Sequence, residues 1–252
     1  MDRPAKRQRI IKEEEDPTSL FLPPLSPAIS NIPIQAPVAG GEAVTLSQEQ
    51  LTAIEAIVKG DNVFLTGSAG SGKTMVLHKS ITGLRDLGKR VKVVAPTGKA
   101  ACGANGTTIH SLFGLTPKKM QRSMRQLESM VEQDELLRLR LADIDTLVID
   151  EISMVENIFF SRLNRLMQAA QDEEDIPFGG VQIVVCGDFC QLAPVKPFSY
   201  CFRCGGTTEE SRSRERKVKV WRCFKCDGEA DEPDQWAFCS DAWEYCQFVN
   251  LI

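Results

Sequence analysis

The sequence V-F-L-T-G-S-A-G-S-G-K-T-M, at residues 63–75, combines a short apolar run, a glycine-rich turn and the start of a helix. It contains the pattern G-x-x-x-x-G-K-[ST], in which glycine N–H groups surround phosphates while the lysine and the hydroxyl reach the outer phosphates and Mg²⁺. The residues that we expect to bind a nucleotide here are Gly67, Ser68, Ala69, Gly70, Ser71, Gly72, Lys73 and Thr74. Because an apolar strand precedes the turn and a helix follows it, the phosphates are expected at a helix N-terminus.

The composition fits one α/β domain with appendages. The chain has 252 residues, of which 42% are hydrophobic, so it can bury one proper core but not two large ones. A net charge of −4 argues against bulk attraction to nucleic acid and leaves room for a local basic groove. The sequence contains no run of eighteen apolar residues, so it does not predict a membrane span. Nine cysteines without a secretory signal indicate reduced thiols, some of them held by metal.

Residues 1–44 are rich in proline and lack periodicity, so they predict a disordered tail. The basic cluster at residues 6–9 is typical of a nuclear-localisation signal, and a solvated charge run is the equal alternative. An acidic stretch at residues 13–16 argues against a mitochondrial transit peptide. We therefore expect a nuclear protein, and the mitochondrion is the alternative location.

The ordered chain is expected to begin with a helix over residues 51–58, with Thr45 or Ser47 as N-cap and an end near Gly60. A strand over residues 91–95 completes a right-handed strand–helix–strand unit with a parallel sheet. One charged amphipathic helix is predicted over residues 118–141, and its expected buried positions are Met124, Leu127, Met130, Val131 and Leu137. A later helix is expected over residues 157–169 and a later strand over residues 181–186.

Two carboxylates follow a buried strand at residues 146–149. Because parallel strands end at one edge of the sheet, Asp150 and Glu151 are expected beside the phosphate loop. Asp150, with Thr74, is then a candidate magnesium ligand, and Glu151 is a candidate base for the attacking water. Gln191 follows another strand and is expected near the γ-phosphate.

Together these segments resemble superfamily-one DNA helicases, and most closely the petite-integration-frequency family, which moves 5′ to 3′. The motifs that carry the resemblance are L-S-Q-E-Q at 46–50, G-S-A-G-S-G-K-T at 67–74, A-P-T-G-K-A-A at 95–101, T-T-I-H-S-L-F-G at 107–114, D-E-I-S-M at 150–154 and G-D-F-C-Q-L at 187–192. They imply a RecA-like P-loop motor domain over residues 45–200. One departure is Ala193-Pro194, where the family usually has two prolines.

The resemblance also implies residue roles. Gln50 would bind adenine, and the residues of the hydrolytic centre would be Lys73, Asp150, Glu151 and Gln191. The DNA path would be lined by Thr97, Thr108, His110, Ser111 and Phe113. Hydroxyls suit phosphates and flat side chains suit bases. Ordinary core packing is the alternative for the histidine and the phenylalanine.

A cysteine-rich insert over residues 201–230 follows the motifs. Cys201-x-x-Cys204 and Cys223-x-x-Cys226 are separated by eighteen residues, a spacing typical of a four-thiolate zinc site. Four unrelated buried cysteines are the alternative. The basic residues between the pairs predict a strand of alternating character, which either touches DNA phosphates or is a solvated face.

Residues 236–250 predict a short helix and the beginning of a strand at 248–252. In the family, that strand leads into a second motor domain whose arginines reach the γ-phosphate. We therefore expect residues 231–252 to be the start of that connection, and this chain alone to bind ATP, hydrolyse it slowly and unwind nothing.

The predicted function is an ATP-dependent 5′-to-3′ helicase that acts on single-stranded and tailed duplex DNA in DNA repair, recombination or telomere maintenance, with ATP, Mg²⁺ and Zn²⁺ as cofactors. The alternative is a zinc-ribbon DNA-binding adaptor that keeps an ATP-binding scaffold. A GTPase or nucleotide kinase shares the phosphate loop, but a GTPase needs an N-K-x-D motif, which the sequence lacks.

Overall fold

The computed structural model describes residues 45–194, 199–212, 219–231 and 236–251. The predicted disordered tail at residues 1–44 lies outside the described residues. Within the described ranges, no helix is both long and apolar enough to cross a membrane.

The main sheet is built from the strands β1 Val63–Gly67, β2 Val91–Ala95, β3 Thr107–Thr108, β4 Thr146–Ile149, β5 Gln182–Cys186 and β9 Gln247–Leu251. These six strands are parallel and lie in the order β3-β2-β4-β5-β1-β9. The described helices are α1 Gln48–Lys59, α2 Lys73–Asp86, α3 Gly98–Gly103, α4 Ile109–Leu112, α5 Pro117–Met120, α6 Met124–Gln133, α7 Glu135–Ala142 and α8 Asn157–Gln171. This architecture confirms the predicted α/β fold with a parallel sheet flanked by helices.

Helices cover both faces of the sheet, which explains why its central strands are apolar throughout. Side chains alternate between the faces along β1: Phe64 joins the core that contains α6, α7 and α8, whereas Val63 and Leu65 join the core that contains α1 and α2. All four residues of β4 are buried. The sheet is therefore a rigid support for the loops at its carboxyl edge.

The first helix follows the prediction closely. Ser47 caps α1 in a capping box with Gln50, and Gly60 ends it in a left-handed conformation with a φ of 108°. Of the two predicted caps, the structure uses Ser47.

The prediction of one helix over residues 118–141 is wrong, because the structure has three helices, α5, α6 and α7, in this region. Ser123 starts α6 with a second capping box, in which Gln126 is the partner. Asp134 interrupts the helix with a ψ of 88°, and its carboxylate accepts a hydrogen bond from Leu137 N at 3.0 Å. Periodicity persisted across these breaks because the apolar faces of α6 and α7 both pack on the same core.

The short helix predicted after residue 236 is present only as 3₁₀ turns, and the strand predicted after it is confirmed as β9. Two short 3₁₀ helices, Ala237–Cys239 and Asp241–Tyr245, precede β9. β9 then pairs in parallel with β1 over its whole length, so the chain returns to the strand that carries the phosphate loop.

The cysteine-rich insert forms its own three-stranded antiparallel sheet, where the sequence predicted a single strand. The strands are β6 Thr208–Arg212, β7 Lys219–Cys223 and β8 Glu229–Asp231, in the order β6-β7-β8. A sheet this small needs additional support to be stable, since it buries little apolar surface.

Candidate nucleotide, DNA and metal sites

The phosphate loop lies at the carboxyl end of β1, where the chain turns into α2. α2 begins at Lys73 after Gly72, whose φ of 87° is left-handed. The Lys73 ammonium donates hydrogen bonds to Gly67 O at 2.7 Å and to Ser68 O at 2.9 Å. The first-turn N–H groups of α2 point toward the same loop, so it offers a positive charge and backbone donors to a phosphate.

Two loop glycines are fixed by their neighbours. A Cβ on Gly67 would lie 2.5 Å from Leu251 O on β9, and a Cβ on Gly72 would lie 2.5 Å from Gln50 Nε2. Both residues also have a positive φ. The loop therefore fits between β9 and α1 only with glycine at these positions.

Asp150 and Glu151 follow β4 at the same edge of the sheet. Asp150 N continues the ladder by donating to Val94 O at 2.9 Å, and an Asp150 carboxylate oxygen accepts from Glu151 N at 3.0 Å. Thr74 and Asp150 line the same small cavity. The structure thus brings the two predicted magnesium ligands together, and their hydroxyl and carboxylate oxygens are donors that suit a hard cation.

Glu151 occupies a strained and half-buried position. Its backbone is left-handed, with a φ of 54°. Burial raises the pKa of Glu151 above its ordinary value, and the charges of Asp150 and Asp188 raise it further, whereas Lys73 lowers it. A carboxylate with a raised pKa beside a phosphate loop is suited to accept a proton from water.

Gln191 is exposed and belongs to a turn after β5. Asp188 organises this turn: its carboxylate accepts hydrogen bonds from Cys190 N at 2.9 Å and from Gln191 Nε2 at 2.8 Å. These bonds hold the pKa of Asp188 below its usual range. Sequence reasoning selected Gln191 but missed the aspartate that orients it, although both lie in the same quoted motif.

Gln50 connects α1 with the phosphate loop. Its side-chain NH₂ donates to Ser71 O at 3.0 Å, while its carbonyl oxygen accepts from Ser47 N at 3.0 Å. The predicted adenine-binding residue therefore lies directly beside the predicted phosphate-binding residues.

The predicted DNA contacts lie on the β2–β3 edge of the sheet. Ala95 pairs with Thr108, and Thr97 follows two residues after Ala95. The Thr97 hydroxyl accepts from Ala100 N at 3.2 Å, and the Thr108 hydroxyl accepts from Ser111 N at 3.2 Å. Thr97, Thr108 and Ser111 are thus brought together, with two hydroxyls shaping the turns that begin α3 and α4.

His110 and Phe113 differ in their exposure to solvent. His110 is exposed, stacks on Phe159 at a centroid distance of 5.1 Å, and has its pKa lowered by partial burial. Phe113 is completely buried in the core. The prediction that Phe113 lines the DNA path is therefore wrong, because its ring packs inside the protein.

The four predicted metal ligands converge. Their sulfur atoms all lie within 4.8 Å of one another, with Cys201 Sγ 3.6 Å from Cys226 Sγ and Cys204 Sγ 3.4 Å from Cys223 Sγ. A tetrahedral zinc with sulfur at about 2.3 Å separates its thiolates by about 3.8 Å. The cluster therefore has the donor set and nearly the spacing of a four-thiolate zinc site.

Sequence reasoning missed a buried arginine in α8. Arg162 is completely buried, and its guanidinium donates to Met120 O at 2.8 Å and to Cys201 O at 2.7 Å. The signal was available, because Arg162 follows Phe159 by three residues and precedes Leu166 by four, on the apolar face of the helix.

Comparisons with known proteins agree with this geometry. The family model for PIF1-like helicases matches residues 45–221. The ATP-dependent DNA helicase PIF1 of Homo sapiens is 37% identical over 188 residues, which are 70% of this chain and 27% of the relative. The ATP-dependent DNA helicase PIF1 of Candida albicans is 39% identical over 155 residues, which are 60% of this chain and 17% of the relative.

Solved structures show the same similarity. The crystal structure of Pif1 helicase from Candida albicans has a TM-score of 0.60 and 32% identity, and the match covers 83% of this chain and 40% of that chain. Bacteroides Pif1 in complex with ADP-AlF3 and ssDNA has a TM-score of 0.56 and 30% identity, with 83% and 42% covered. The chain spans about a quarter of the length of its human relative.

Proposed function

Because the chain belongs to the PIF1-like helicase family, we propose that its described residues are the nucleotide-binding part of an ATP-dependent 5′-to-3′ DNA helicase. The observation that carries the proposal is the meeting of Lys73, Thr74, Asp150 and Glu151 at one edge of the sheet. The proposed divisions are a motor domain at residues 45–200, a metal-binding insert at 201–230, and a segment at 231–252 that leads toward a second motor domain.

ATP is the proposed substrate of this edge. Lys73 would neutralise phosphate charge, Gln50 would contact adenine, and Thr74 and Asp150 would hold Mg²⁺, which when bound offsets the charge of the outer phosphates. Glu151 takes a proton from the attacking water. Gln191 lies on the turn after β5, where Asp188 orients it, and it is the residue proposed to contact the γ-phosphate.

Single-stranded and tailed duplex DNA are the proposed nucleic-acid partners. One Bacteroides relative was solved with ssDNA and another structure in the family concerns unwinding at forked dsDNA. On this chain the proposed path crosses Thr97, Thr108, His110 and Ser111 on the β2–β3 edge. Partly or fully exposed hydroxyls and one exposed ring are the groups that a sequence-independent single-strand site uses.

Zinc is the proposed occupant of the cysteine cluster. The support is the set of four thiols with nearly tetrahedral spacing in a module whose described residues form three short strands. Thiolate–zinc binding supplies folding free energy that so small a module lacks on its own.

Measurements of ATP hydrolysis with and without single-stranded DNA test the helicase proposal. We expect ssDNA to stimulate hydrolysis by the wild type. Lys79→Ala, a control on the same helix as Lys73, should behave in the same way, and Glu151→Gln should not hydrolyse ATP. Turnover of this chain alone is expected to be slow, so the readout is the ratio with and without DNA. Failure to bind ATP at all would favour the adaptor alternative, and duplexes with a 5′ or a 3′ tail test the direction.

Nuclear localisation and roles in DNA repair, recombination or telomere maintenance are further proposals. The localisation proposal rests on the basic residues at 6–9, which lie outside the described residues. A fluorescent fusion in which Lys6, Arg7 and Arg9 are changed to Ala should leave the nucleus, and unchanged distribution would contradict the proposal.

A further inference from the structure

Arg162 is a buried cation that joins two distant parts of the chain. It lies in the middle of α8 with no exposed surface, and the acceptors of its hydrogen bonds are the carbonyl oxygens of Met120 and Cys201. Its Nε atom has no hydrogen-bond partner among the described residues. Burying a guanidinium against neutral acceptors is unfavourable unless a negative charge lies nearby.

On one side, Arg162 contacts the segment at residues 117–123, which follows the proposed DNA-contact loop at residues 108–115. Met120 is the last residue of α5, and two contacts tie this segment to the loop: Leu115 N donates to His110 O at 2.8 Å, and Lys119 Nζ donates to Gly114 O at 2.9 Å. Through these contacts, a displacement of Met120 would change the position of the His110 backbone.

On the other side, Arg162 contacts the first cysteine knuckle, which is the turn at residues 201–206 that carries Cys201 and Cys204. Cys201 is the first of the four thiols, and Gly205, four residues later, packs directly on the backbone of Gln121 and Arg122. A Cβ on Gly205 would lie 2.3 Å from the Arg122 carbonyl group, so only glycine permits this approach. The knuckle and the segment at residues 117–123 thus meet twice, once through Arg162 and once through Gly205.

A bound metal would add negative charge near Arg162. Four thiolates around one divalent cation carry a net negative charge, and metal binding requires the thiolate form. Glu156 at the start of α8 makes the largest charge contribution to Arg162, and Cys201 and Cys204 add to it when they are thiolates. Metal loading therefore places opposite charge beside a cation that is already buried.

We propose that Arg162 is a positioning residue that locks the metal-loaded cysteine module onto residues 117–123, so that metal binding is transmitted to the DNA-contact loop at residues 108–115. The inference rests on the proposed metal site and adds a function for it. The module then serves as a metal-dependent support for the DNA-binding surface.

The first test needs no substitution. Hydrogen exchange of the wild type is measured with zinc bound and after removal by a chelator, with zinc content determined in both samples. We expect removal to increase exchange at residues 117–123 as well as at 201–206, while exchange in β1, β4 and β5 stays unchanged. Unchanged protection at 117–123 after complete removal would overturn the proposal. Absence of zinc from the reduced wild type would instead contradict the proposed metal site.

The second test compares the wild type and variants of Arg162, each with zinc bound and after zinc removal. Arg162→Met is expected to weaken zinc binding about 10- to 100-fold, the range seen when groups behind metal ligands are removed. Arg165→Met, three residues further along α8 and in an ion pair with Glu128, is the matched control and should bind zinc like the wild type. Arg162→Lys keeps the charge but cannot span both carbonyls, so it should restore part of the loss.

The comparison also separates this role from simple core packing. Arg162→Met should lower the melting temperature of the zinc-loaded protein and have little or the opposite effect on the zinc-free protein. Equal losses in both forms, or unchanged zinc affinity, would show that Arg162 only fills space. If Arg162→Met does not fold with zinc, the wild-type exchange measurement decides.

Discussion

Gln50 Nε2 lies 3.0 Å from the carbonyl oxygen of Ser71, so the residue proposed to contact adenine is hydrogen-bonded to the loop proposed to hold the phosphates. The same side chain closes the capping box of α1 through Ser47 N. One glutamine thereby fixes the start of a helix and the position of the phosphate loop.

Substitution of Gln50 should therefore separate the two roles. Gln50→Glu keeps an acceptor for Ser47 N and loses the donor to Ser71, so we expect weaker ATP binding with nearly unchanged stability. Gln50→Ala loses both contacts, and loss of the cap should cost about 1 kcal/mol in addition. Titration with ATP and thermal melts of both variants check this. Equal ATP affinity in Gln50→Glu and wild type would contradict it.

The ion pair between Asp145 and Arg90 predicts that the stability of the protein decreases in acid. Arg90 donates to its carboxylate from the backbone N at 2.8 Å and from the guanidinium, and these hydrogen bonds hold the pKa of Asp145 well below its usual range. A depressed folded pKa means that the pair stabilises the protein fully above the unfolded pKa of about 3.9, and that this contribution is lost as pH falls further.

Asp145→Asn should therefore lower stability at neutral pH, and its difference from the wild type should shrink below about pH 4. Denaturant unfolding across pH measures this. Asp143→Asn, which changes the more exposed partner of the same arginine, is the control and should have a smaller effect. A difference that grows toward acid would contradict the assignment.

Phe113 and His110 should respond in opposite ways. Phe113→Ala leaves a cavity in the core and should reduce the free energy of unfolding by about 3 to 5 kcal/mol. His110→Ala removes an exposed ring and should weaken ssDNA binding with a much smaller change in stability. Melting curves and fluorescence anisotropy with a labelled oligonucleotide check both. Loss of DNA affinity in a stably folded Phe113→Ala protein would restore the original prediction for that residue.

Metal analysis should find one zinc per chain in protein purified under reducing conditions. Cys223→Ser should lose most of that zinc, because three thiolates hold the ion more weakly than four. Cys102→Ser changes an exposed cysteine away from the cluster and should keep it. We expect the zinc-free protein to open at residues 201–228 and still bind ATP. Zinc retained in full by Cys223→Ser would exclude the proposed ligand set.

Sequence patterns predicted the parts of this molecule that depend on local chemistry. The phosphate loop, its strand and helix, and the carboxylates after β4 lie where the spacing of residues 63–75 and 146–151 indicated. The cysteine pairs also converge as their spacing predicted. These features are fixed by short-range requirements such as glycine turns and ligand geometry.

The remaining features depend on contacts between distant residues. The helix breaks at Ser123 and Asp134 were masked by an apolar period that continues through both. The burial of Phe113 follows from the packing of α4 against the core and not from its own motif. Arg162 was visible as a charge on an apolar helix face, but its partners, Met120 and Cys201, lie about 40 residues away on either side.

Lys73 is proposed to bind the phosphates of ATP and Glu151 to activate the attacking water. Equilibrium binding of Mg²⁺–ATP to Lys73→Ala and Glu151→Gln separates these two roles. Lys73→Ala should weaken binding about 100-fold or more, equivalent to roughly 2.8 kcal/mol, because it removes a charge that contacts ground-state phosphate. Glu151→Gln should bind ATP like the wild type and lose hydrolysis, because its carboxylate is needed only when water is activated. Equal loss of binding in both variants, or full binding by Lys73→Ala, would contradict the account.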